Sequence, residues 1–113
     1  MPNTQMQFVN YDLTKGDKDT LKKADPQPDD VFRTLAALAK EGYKISISWD
    51  DYSDCVQCFL IGAKPAVANH NFILTSRASS LFKALASLVY KHSVVFDGVW
   101  HDRALMDRPD DDF

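Results

Sequence analysis

The 113-residue sequence has only four glycines, a single glutamate and no long apolar run. Its glycines are scattered, so the chain lacks the glycine-rich loop and following lysine that cradle phosphates in nucleotide-binding proteins. No segment approaches the roughly 20 consecutive apolar residues of a membrane span, and the first residues lack the basic start and apolar run of a secretion signal. These absences predict a single cytoplasmic domain that binds no membrane.

Cysteine is also scarce, with only Cys55 and Cys58. Two cysteines cannot build a disulfide scaffold, and together with the missing signal they indicate a reducing compartment. Their CxxC spacing is half of a zinc site; His70 could be a third ligand, but nothing offers an obvious fourth. Residues three apart in a strand also point to opposite faces. We therefore predict ordinary strand cysteines, with no metal and no cofactor.

Patterns of catalytic residues are missing as well. No nucleophile elbow accompanies the many serines, the three histidines are dispersed, and Asp50, Asp51 and Asp54 fit a turn better than a catalytic pair. A catalytic group assembled from distant residues stays open, although nothing in the sequence points to it. We therefore predict a protein that is not an enzyme and has no catalytic residues.

The charge of the chain is carried almost entirely by aspartate. Lys and Arg number 13 against 16 acids, of which all but Glu41 are Asp, and the net charge is −3. Aspartate favours caps, turns and tails over helix faces, because it bonds to nearby backbone. Residues 105–113 alone sum to −3, so residues 1–104 are neutral. A neutral body with an acidic tail differs from the basic surface of a dedicated phosphate-binding protein.

Hydrophobic spacing predicts an αβββα core over residues 29–92. Asp29 or Asp30 is predicted to cap a first helix, whose apolar residues recur at helical spacing and which ends at Gly42. Thr75 or Ser76 is predicted to cap a second helix over residues 78–92. Between the helices lie three predicted strands, at residues 43–49, 55–62 and 71–75.

The segments outside this core are less regular. A short strand is predicted at residues 5–11. Residues 14–28 are polar and are predicted to form an irregular connection. Residues 93–113 are predicted to form an arm and an acidic tail, in which residues 94–100 form either a hairpin or an extended segment. The predicted class is α+β, with two layers and the helices on one face of an antiparallel sheet. Trp49, which alternates with Ile45 and Ile47, is expected to face the helices.

The element order resembles that of the double-stranded-RNA-binding domain, which is also αβββα and grips phosphates from its last helix. The resemblance covers residues 30–92, and Arg77 and Lys83 flank the start of that helix. That family has a lysine-rich run where this chain reads SRASSLFKAL, so only these two cations match in charge. The resemblance implies an alternative function in which Arg77, Lys83 and Lys44 of the open sheet face contact nucleic-acid phosphates.

The last residues, Asp-Arg-Pro-Asp-Asp-Asp-Phe, resemble the acidic tip of bacterial and phage single-stranded-DNA-binding proteins. In that family the aromatic residue enters an apolar pocket of a partner protein and the carboxylates meet its basic rim. The resemblance implies the same role for Phe113 and for Asp110, Asp111 and Asp112; a solvated tail is the alternative. Trp100 is a further candidate contact residue because tryptophan is enriched at interface hot spots, although a core position is the alternative.

Three aspartate clusters lie along the chain, around Asp29 and Asp30, around Asp50, Asp51 and Asp54, and in the tail. On one face of a neutral body, their carboxylates could imitate nucleic-acid phosphates. In its compactness, its lack of catalytic motifs and its aspartate-borne charge, the chain resembles phage-encoded inhibitors of host defence, such as anti-CRISPR proteins, although it shares no motif with them. We predict a binding protein that occupies a basic, nucleic-acid-binding surface of a partner protein, in the host cytoplasm if it is phage-encoded. The alternatives are a nucleic-acid-binding accessory protein and a homodimer formed through the open sheet edge and Trp100.

Overall fold

The computed structural model describes residues 6–9, 11–63, 71–97 and 111–113. The α+β class and the extra N-terminal strand are as predicted. None of the helices in these ranges is long and apolar enough to cross a membrane. The elements follow in the order β1 (Met6–Val9), α1 (Lys15–Ala24), α2 (Pro28–Lys40), β2 (Lys44–Asp50), β3 (Cys55–Ala63), β4 (Asn71–Ala78) and α3 (Leu81–Asp97).

The strands form one sheet in the order β1-β4-β3-β2. β2 and β4 both pair antiparallel with β3, as the sequence predicts. β1 instead runs parallel to β4, with Val9 opposite Leu74, so the sheet is mixed and not wholly antiparallel. Parallel neighbours need a long crossover connection, which the chain between β1 and β4 supplies.

The core lies between the helices and one face of the sheet. Leu60 of β3, Leu74 of β4 and Leu88 of α3 are fully buried there. Gly42 adopts a left-handed conformation with φ 105° just after α2, as predicted. The apolar stripe predicted for α2 is also buried in this core and consists of Val31, Leu35 and Leu38.

α1 lies in the segment that was expected to be irregular, and that expectation is wrong. The helix begins with a capping box: Thr14 Oγ1 accepts from the Asp17 N–H at 3.1 Å, and the Asp17 carboxylate accepts from the Thr14 N–H at 2.9 Å. Leu21 is its buried contact with the rest of the molecule. A polar segment can therefore form a helix here because its end is satisfied locally and one leucine is buried.

The predicted second helix is displaced toward the C-terminus. Thr75 and Ser76, the predicted caps, belong to β4, and Ser80 Oγ instead accepts from the Lys83 N–H at 3.3 Å. Ser76 Oγ is buried and donates to the carbonyl of Ala84 in α3. Residues 94–97 continue the helix, so no hairpin begins there. The rest of that predicted hairpin, Trp100 included, lies outside the described residues.

A glycine allows a close aromatic contact at the other end of β3 and β4. Gly62 lies opposite Phe72, and a Cβ atom placed on Gly62 would stand 2.2 Å from Cε1 of the Phe72 ring. The same ring meets Tyr43 edge to face, with centroids 5.9 Å apart, and Tyr43 meets His92 of α3 at 5.3 Å. The absence of a side chain at position 62 therefore makes room for the aromatic contacts between sheet and helix.

Candidate functional site

Two of the three predicted aspartate clusters meet at one end of the sheet, around Arg77. Asp50, Asp51 and Asp54 lie at and just beyond the end of β2, and Asp112 reaches the same end beside the last residues of β4. We call these four aspartates the acidic end. The negative charge that they bring together affects the thiol of Cys55. Burial raises the pKa of this thiol, and the carboxylates of Asp50, Asp112 and Asp54 raise the pKa further, while the charge of Arg77 lowers it.

The turn between β2 and β3 is organised by the carboxylate of Asp50. Its Oδ1 accepts from the N–H groups of Tyr52 at 3.1 Å and Ser53 at 3.5 Å, and its Oδ2 lies 3.3 Å from Arg77 Nη1. Desolvation raises the pKa of Asp50, but these hydrogen bonds outweigh it and hold the pKa below its ordinary value. The Asp50 carboxylate therefore stays charged, while Asp51 and Asp54 are exposed beside it.

Residues 111–113 pack onto the body of the protein and do not extend into solvent. The Asp111 N–H donates to the Arg77 carbonyl at 3.3 Å, and Asp111 Oδ2 accepts from the Arg77 N–H at 2.8 Å. β1 pairs with β4 only as far as Leu74, so these contacts fall on the part of β4 beyond β1. The tail continues the sheet edge where β1 ends.

Asp111 and Lys91 of α3 form a buried ion pair, with 2.9 Å between Oδ2 and Nζ. Lys91 Nζ also donates to the carbonyl of Thr75 at 3.0 Å, and Ser87 Oγ donates to the Asp111 carbonyl at 2.7 Å. Asp111 is only 2% exposed, so it cannot belong to a negative surface patch as predicted. Its charge is compensated inside the protein because Lys91 and the β4 backbone surround it.

Asp112 and Phe113 hold the start of α3. The N–H of Ser79 donates to Asp112 Oδ1 at 3.0 Å and the Ser79 hydroxyl donates to the same oxygen at 2.9 Å. Phe113 packs against the core, and Lys83 Nζ lies 5.8 Å from the centroid of its ring. A carboxylate of the same chain thus lies just before the start of α3. Asp110, the other predicted tail residue, lies outside the described residues.

The sequence analysis identified neither Ser87 nor Lys91, which are the partners of Asp111 on α3. Both are buried, at 0% and 3% exposure. They are four residues apart and therefore share one face of α3. That spacing was the available signal, but it identifies no partner, since the bound residue Asp111 lies 20 positions beyond Lys91.

The third aspartate cluster lies elsewhere. Asp29 and Asp30 are exposed in the first turn of α2, where Gln27 and not an aspartate is the N-cap residue. Asp30 borders a groove between α2 and α3, beside Val89 and Tyr90. Val89 lies eight residues beyond the start of α3, about 12 Å along the helix, whereas Asp112 of the acidic end contacts Ser79 just before that start. The structure therefore brings together two of the predicted clusters and leaves this one apart.

Two aromatic residues are exposed at or near the acidic end. Tyr52, at the β2–β3 turn, is 84% exposed. Trp49 is on the helix side of the sheet, since its pairing partner Val56 lies opposite Ala78 of the buried core, yet it is 55% exposed. Trp49 therefore faces the helices as expected, but it stays more than half exposed on β2, an edge strand of the sheet.

Two of the three cations of the nucleic-acid alternative, Lys44 and Arg77, lie on the same face of the sheet but far apart. Lys44 pairs with Ile61 and Arg77 with Gln57, four residues apart along β3, which corresponds to about 13 Å. Arg77 Nη1 contacts Asp50 and also lies 3.4 Å from Ser53 Oγ. Phosphate binding by Arg77 would therefore have to displace contacts within the chain.

Both cysteines are buried and unpaired by disulfides. β3 pairs without interruption, so Cys55 and Cys58 point to opposite faces, as predicted. Burial raises the pKa of the Cys58 thiol to about 11, so the thiol stays protonated at neutral pH. Among the described residues, no three His, Cys, Asp or Glu side chains are grouped to hold a metal ion.

Comparison of the chain with family models, with curated proteins and with solved structures gives no match. The acidic end and its exposed tyrosine are therefore the features from which a function can be inferred.

Proposed function

We propose that the protein is a small non-enzymatic binding protein whose acidic end occupies a basic surface of a partner protein. The observation that carries the proposal is the position of Tyr52, which is 84% exposed on a turn flanked by aspartates. Tyrosine is enriched at interface hot spots, and charged rims direct the approach of an oppositely charged partner. The turn thus combines an apolar anchor with negative charge.

The turn is also organised before any partner arrives. Asp50 accepts hydrogen bonds from two backbone N–H groups of the turn and pairs with Arg77 of β4. Ordering of loops and side chains is a major cost of association, and a turn already held in place avoids part of it. This supports binding by the turn in the conformation described.

A partner surface that is basic enough to meet these aspartates is of the kind that binds nucleic-acid phosphates. Carboxylates on such a surface compete directly with nucleic acid, since both place negative charge at the same side chains. We therefore propose that binding inhibits the partner, in the manner of the phage-encoded inhibitors that the chain resembles in style. Direct nucleic-acid binding has less support, because Arg77 is engaged by Asp50 and Ser53.

The first experiment measures binding of a fluorescent arginine- and lysine-rich peptide by anisotropy at low and high salt. Changing Asp51 and Asp54 together to Asn should weaken binding about tenfold at low salt, since each exposed ion pair contributes up to about 1 kcal/mol. Salt should weaken the wild-type complex more than the variant complex. Both residues are exposed, so thermal stability should not fall.

The matched control changes Asp29 and Asp30 together to Asn, which removes the same charge from the first turn of α2. We expect it to leave peptide binding within about twofold of the wild type, because these residues lie apart from the acidic end. Equal losses in both variants would mean that only net charge matters and would contradict the proposal. Tyr52→Ser should weaken binding without changing the charge. A gel shift of duplex or single-stranded nucleic acid by the wild type would favour the alternative function.

A further inference from the structure

Among the described residues, β2 is an edge strand whose interior carries little of the usual protection against pairing. It lies last in the sheet order, and Ser46, Ile47, Ser48 and Trp49 are exposed along it. Natural edges are commonly interrupted by proline, by a bulge or by a charge in the middle of the strand. The interior of β2 has no proline and no charge, and its pairing with β3 is continuous from Lys44 to Asp50. Such an edge is suited to pairing with another strand.

The sequence of β2, Lys-Ile-Ser-Ile-Ser-Trp-Asp, is complementary to itself when read in the opposite direction. In an antiparallel pair of two β2 strands centred on Ile47, each Lys44 faces Asp50 of the second copy. In the same register each Ile45 faces Trp49 of the second copy, and Ser46 faces Ser48. Opposite charges and aromatic–β-branched pairs are the cross-strand combinations that stabilise antiparallel sheets.

We propose that two copies of the chain pair through β2 in this two-fold register and join their sheets into one. The proposal is independent of the function proposed for the acidic end. Ile47, 53% exposed on the monomer, would lie against its own equivalent at the two-fold axis, and Trp49, 55% exposed, would pack on Ile45 of the second copy. Two-fold symmetry requires a surface that fits itself, and this strand meets the requirement at every position.

Other registers lose these pairs. A shift of two residues places Lys44 opposite Ser48 or leaves it beyond the pairing, and both ion pairs disappear. A shift of one residue puts the helices of the two copies on opposite faces of the sheet, because side chains alternate between faces. The charge pattern thus favours a second copy of this chain over an unrelated strand, which would have to match the charges at both ends of β2.

Asp51, Asp54 and Asp112 of the acidic end lie outside β2 and stay available in the pair. Asp50 keeps its contact with Arg77 at 3.3 Å, and its side chain is 20% exposed, so a lysine of the second copy can reach it. Tyr52 lies beyond the end of β2 and outside the paired residues. A dimer would present two such turns, one at each end of the joined strands.

Disulfide trapping tests the register. Ile47→Cys places two thiols at the axis, where the Cα atoms of facing residues are about 4.5–5.5 Å apart, within the range of a disulfide. The native Cys55 and Cys58 are fully buried and do not compete. Under mild oxidation Ile47→Cys should become a covalent dimer. The control is Ser48→Cys, at a position that is also exposed; it should not become a covalent dimer, because Ser48 faces Ser46 of the second copy and not another Ser48. Equal trapping of both variants would overturn the proposal.

Sedimentation equilibrium tests the charge pairs. The wild type should have twice the mass of the 12.8 kDa chain. Lys44→Asp and Asp50→Lys should each raise the dimer dissociation constant at least tenfold, because like charges then face each other twice. An equimolar mixture of the two variants should form a heterodimer, in which both facing pairs again carry opposite charges.

Asp50→Lys also removes the hydrogen bonds that organise the turn, so a third variant tests the dimer at a position outside the turn. Ile47→Lys places two ammonium groups at the axis and should give a folded monomer, while Phe32→Lys on α2, which replaces a side chain of similar exposure, 52%, should stay dimeric. A wild type that remains a monomer at the highest concentration reached would overturn the proposal, as would a dimer that Ile47→Lys leaves unchanged.

Discussion

Gly62 and the ring of Phe72 occupy adjoining space on paired strands, and this contact explains why position 62 has no side chain. A Cβ atom there would lie within 3 Å of three atoms of the ring. The ring cannot move freely to make room, because it also packs against Tyr43, which in turn packs against His92. A single added methyl group would therefore disturb contacts that join β4, the start of β2 and α3.

We expect Gly62→Ala to lower the free energy of unfolding by about 1–3 kcal/mol, the usual cost of overpacking. Gly16→Ala is the matched control, because its Cβ would meet Thr14 Oγ1 at 3.7 Å, an ordinary contact. Alanine in α1 should raise the free energy of unfolding by up to about 1 kcal/mol. Urea denaturation followed by circular dichroism measures both changes, and a Gly62→Ala variant as stable as the wild type would contradict this explanation.

The burial of single residues was only partly predictable. The alternation in β2 correctly put Ile45 and Trp49 on one face, but exposure also depends on how far a helix extends over an edge strand, which alternation does not contain. The same limit applies to Lys91, whose burial depends on a carboxylate in the tail. Local patterns predict the face on which a side chain lies, whereas its burial depends on distant parts of the chain.

At the scale of elements, the C-terminal residues connect β4 with α3. Asp111 bonds to the backbone of Arg77, to the Lys91 ammonium and to the Ser87 hydroxyl, while Asp112 bonds to Ser79 between the two elements. These contacts satisfy backbone groups beyond the end of β1 and place a carboxylate beside the start of α3. The tail thus contributes to the packing of two elements of the core.

We expect Lys91→Met and Asp111→Asn each to lower the free energy of unfolding by about 3–5 kcal/mol, because each leaves an uncompensated buried charge. The double variant should lose clearly less than the sum of the two, since it removes both charges. Guanidinium denaturation of the four proteins measures this coupling. Lys83→Met, at a partly exposed position on the same helix, is the control and should cost less than about 1 kcal/mol. Additive losses at Lys91 and Asp111 would contradict a direct pair.

The order of elements was largely predictable, because the αβββα core follows from hydrophobic periods of two and of 3.6 residues. α1 was not, since its polar sequence is held by a capping box and by Leu21. The parallel position of β1 was not predictable either, because its partner β4 lies far along the chain and leaves no local trace. At the candidate site, the turn aspartates were found from the sequence, while the contact of Arg77 with Asp50 and the position of Asp112 beside them required the fold.

At the scale of the whole molecule, Asp17 links the N-terminal segment to α3. Its carboxylate accepts hydrogen bonds from the hydroxyls of Tyr11 and Tyr90, both at 2.8 Å. Burial raises the pKa of Asp17, but hydrogen bonds from Thr14, Tyr11 and Tyr90 outweigh it, so the pKa lies below its ordinary 3.8. Burial and the hydrogen bond to Asp17 raise the pKa of Tyr90 above its ordinary 10.0.

These shifts predict loss of stability at both ends of the pH range. At low pH the unfolded chain binds a proton at Asp17 before the folded chain does, so the contribution of this group is complete above about pH 4 and is lost as the pH falls through the folded-state value. At high pH the contribution of Tyr90 is complete below about pH 10 and is lost as the pH rises through its raised value. Thermal melting by circular dichroism across this range measures the loss of stability at low pH, which we call the acid limb, and the loss at high pH.

Asp17→Asn should lower the melting temperature at neutral pH and flatten the acid limb, because the group that titrates there is gone. Asp19→Asn, on an exposed position of the same helix, is the control and should keep the wild-type acid limb. An Asp17→Asn protein with an unchanged acid limb would show that other carboxyl groups, such as Asp50, account for the loss.

The contacts of Asp111 also bear on the order in which the chain can complete its fold during synthesis. Residues 111–113 leave the ribosome after β4 and α3, the elements that they join. Until they do, the ammonium group of Lys91 has no carboxylate to accompany it into the interior, and the outer backbone of Arg77 remains hydrated. The helix can form earlier, but its final packing against the sheet has to wait until Asp111 and Asp112 have been translated.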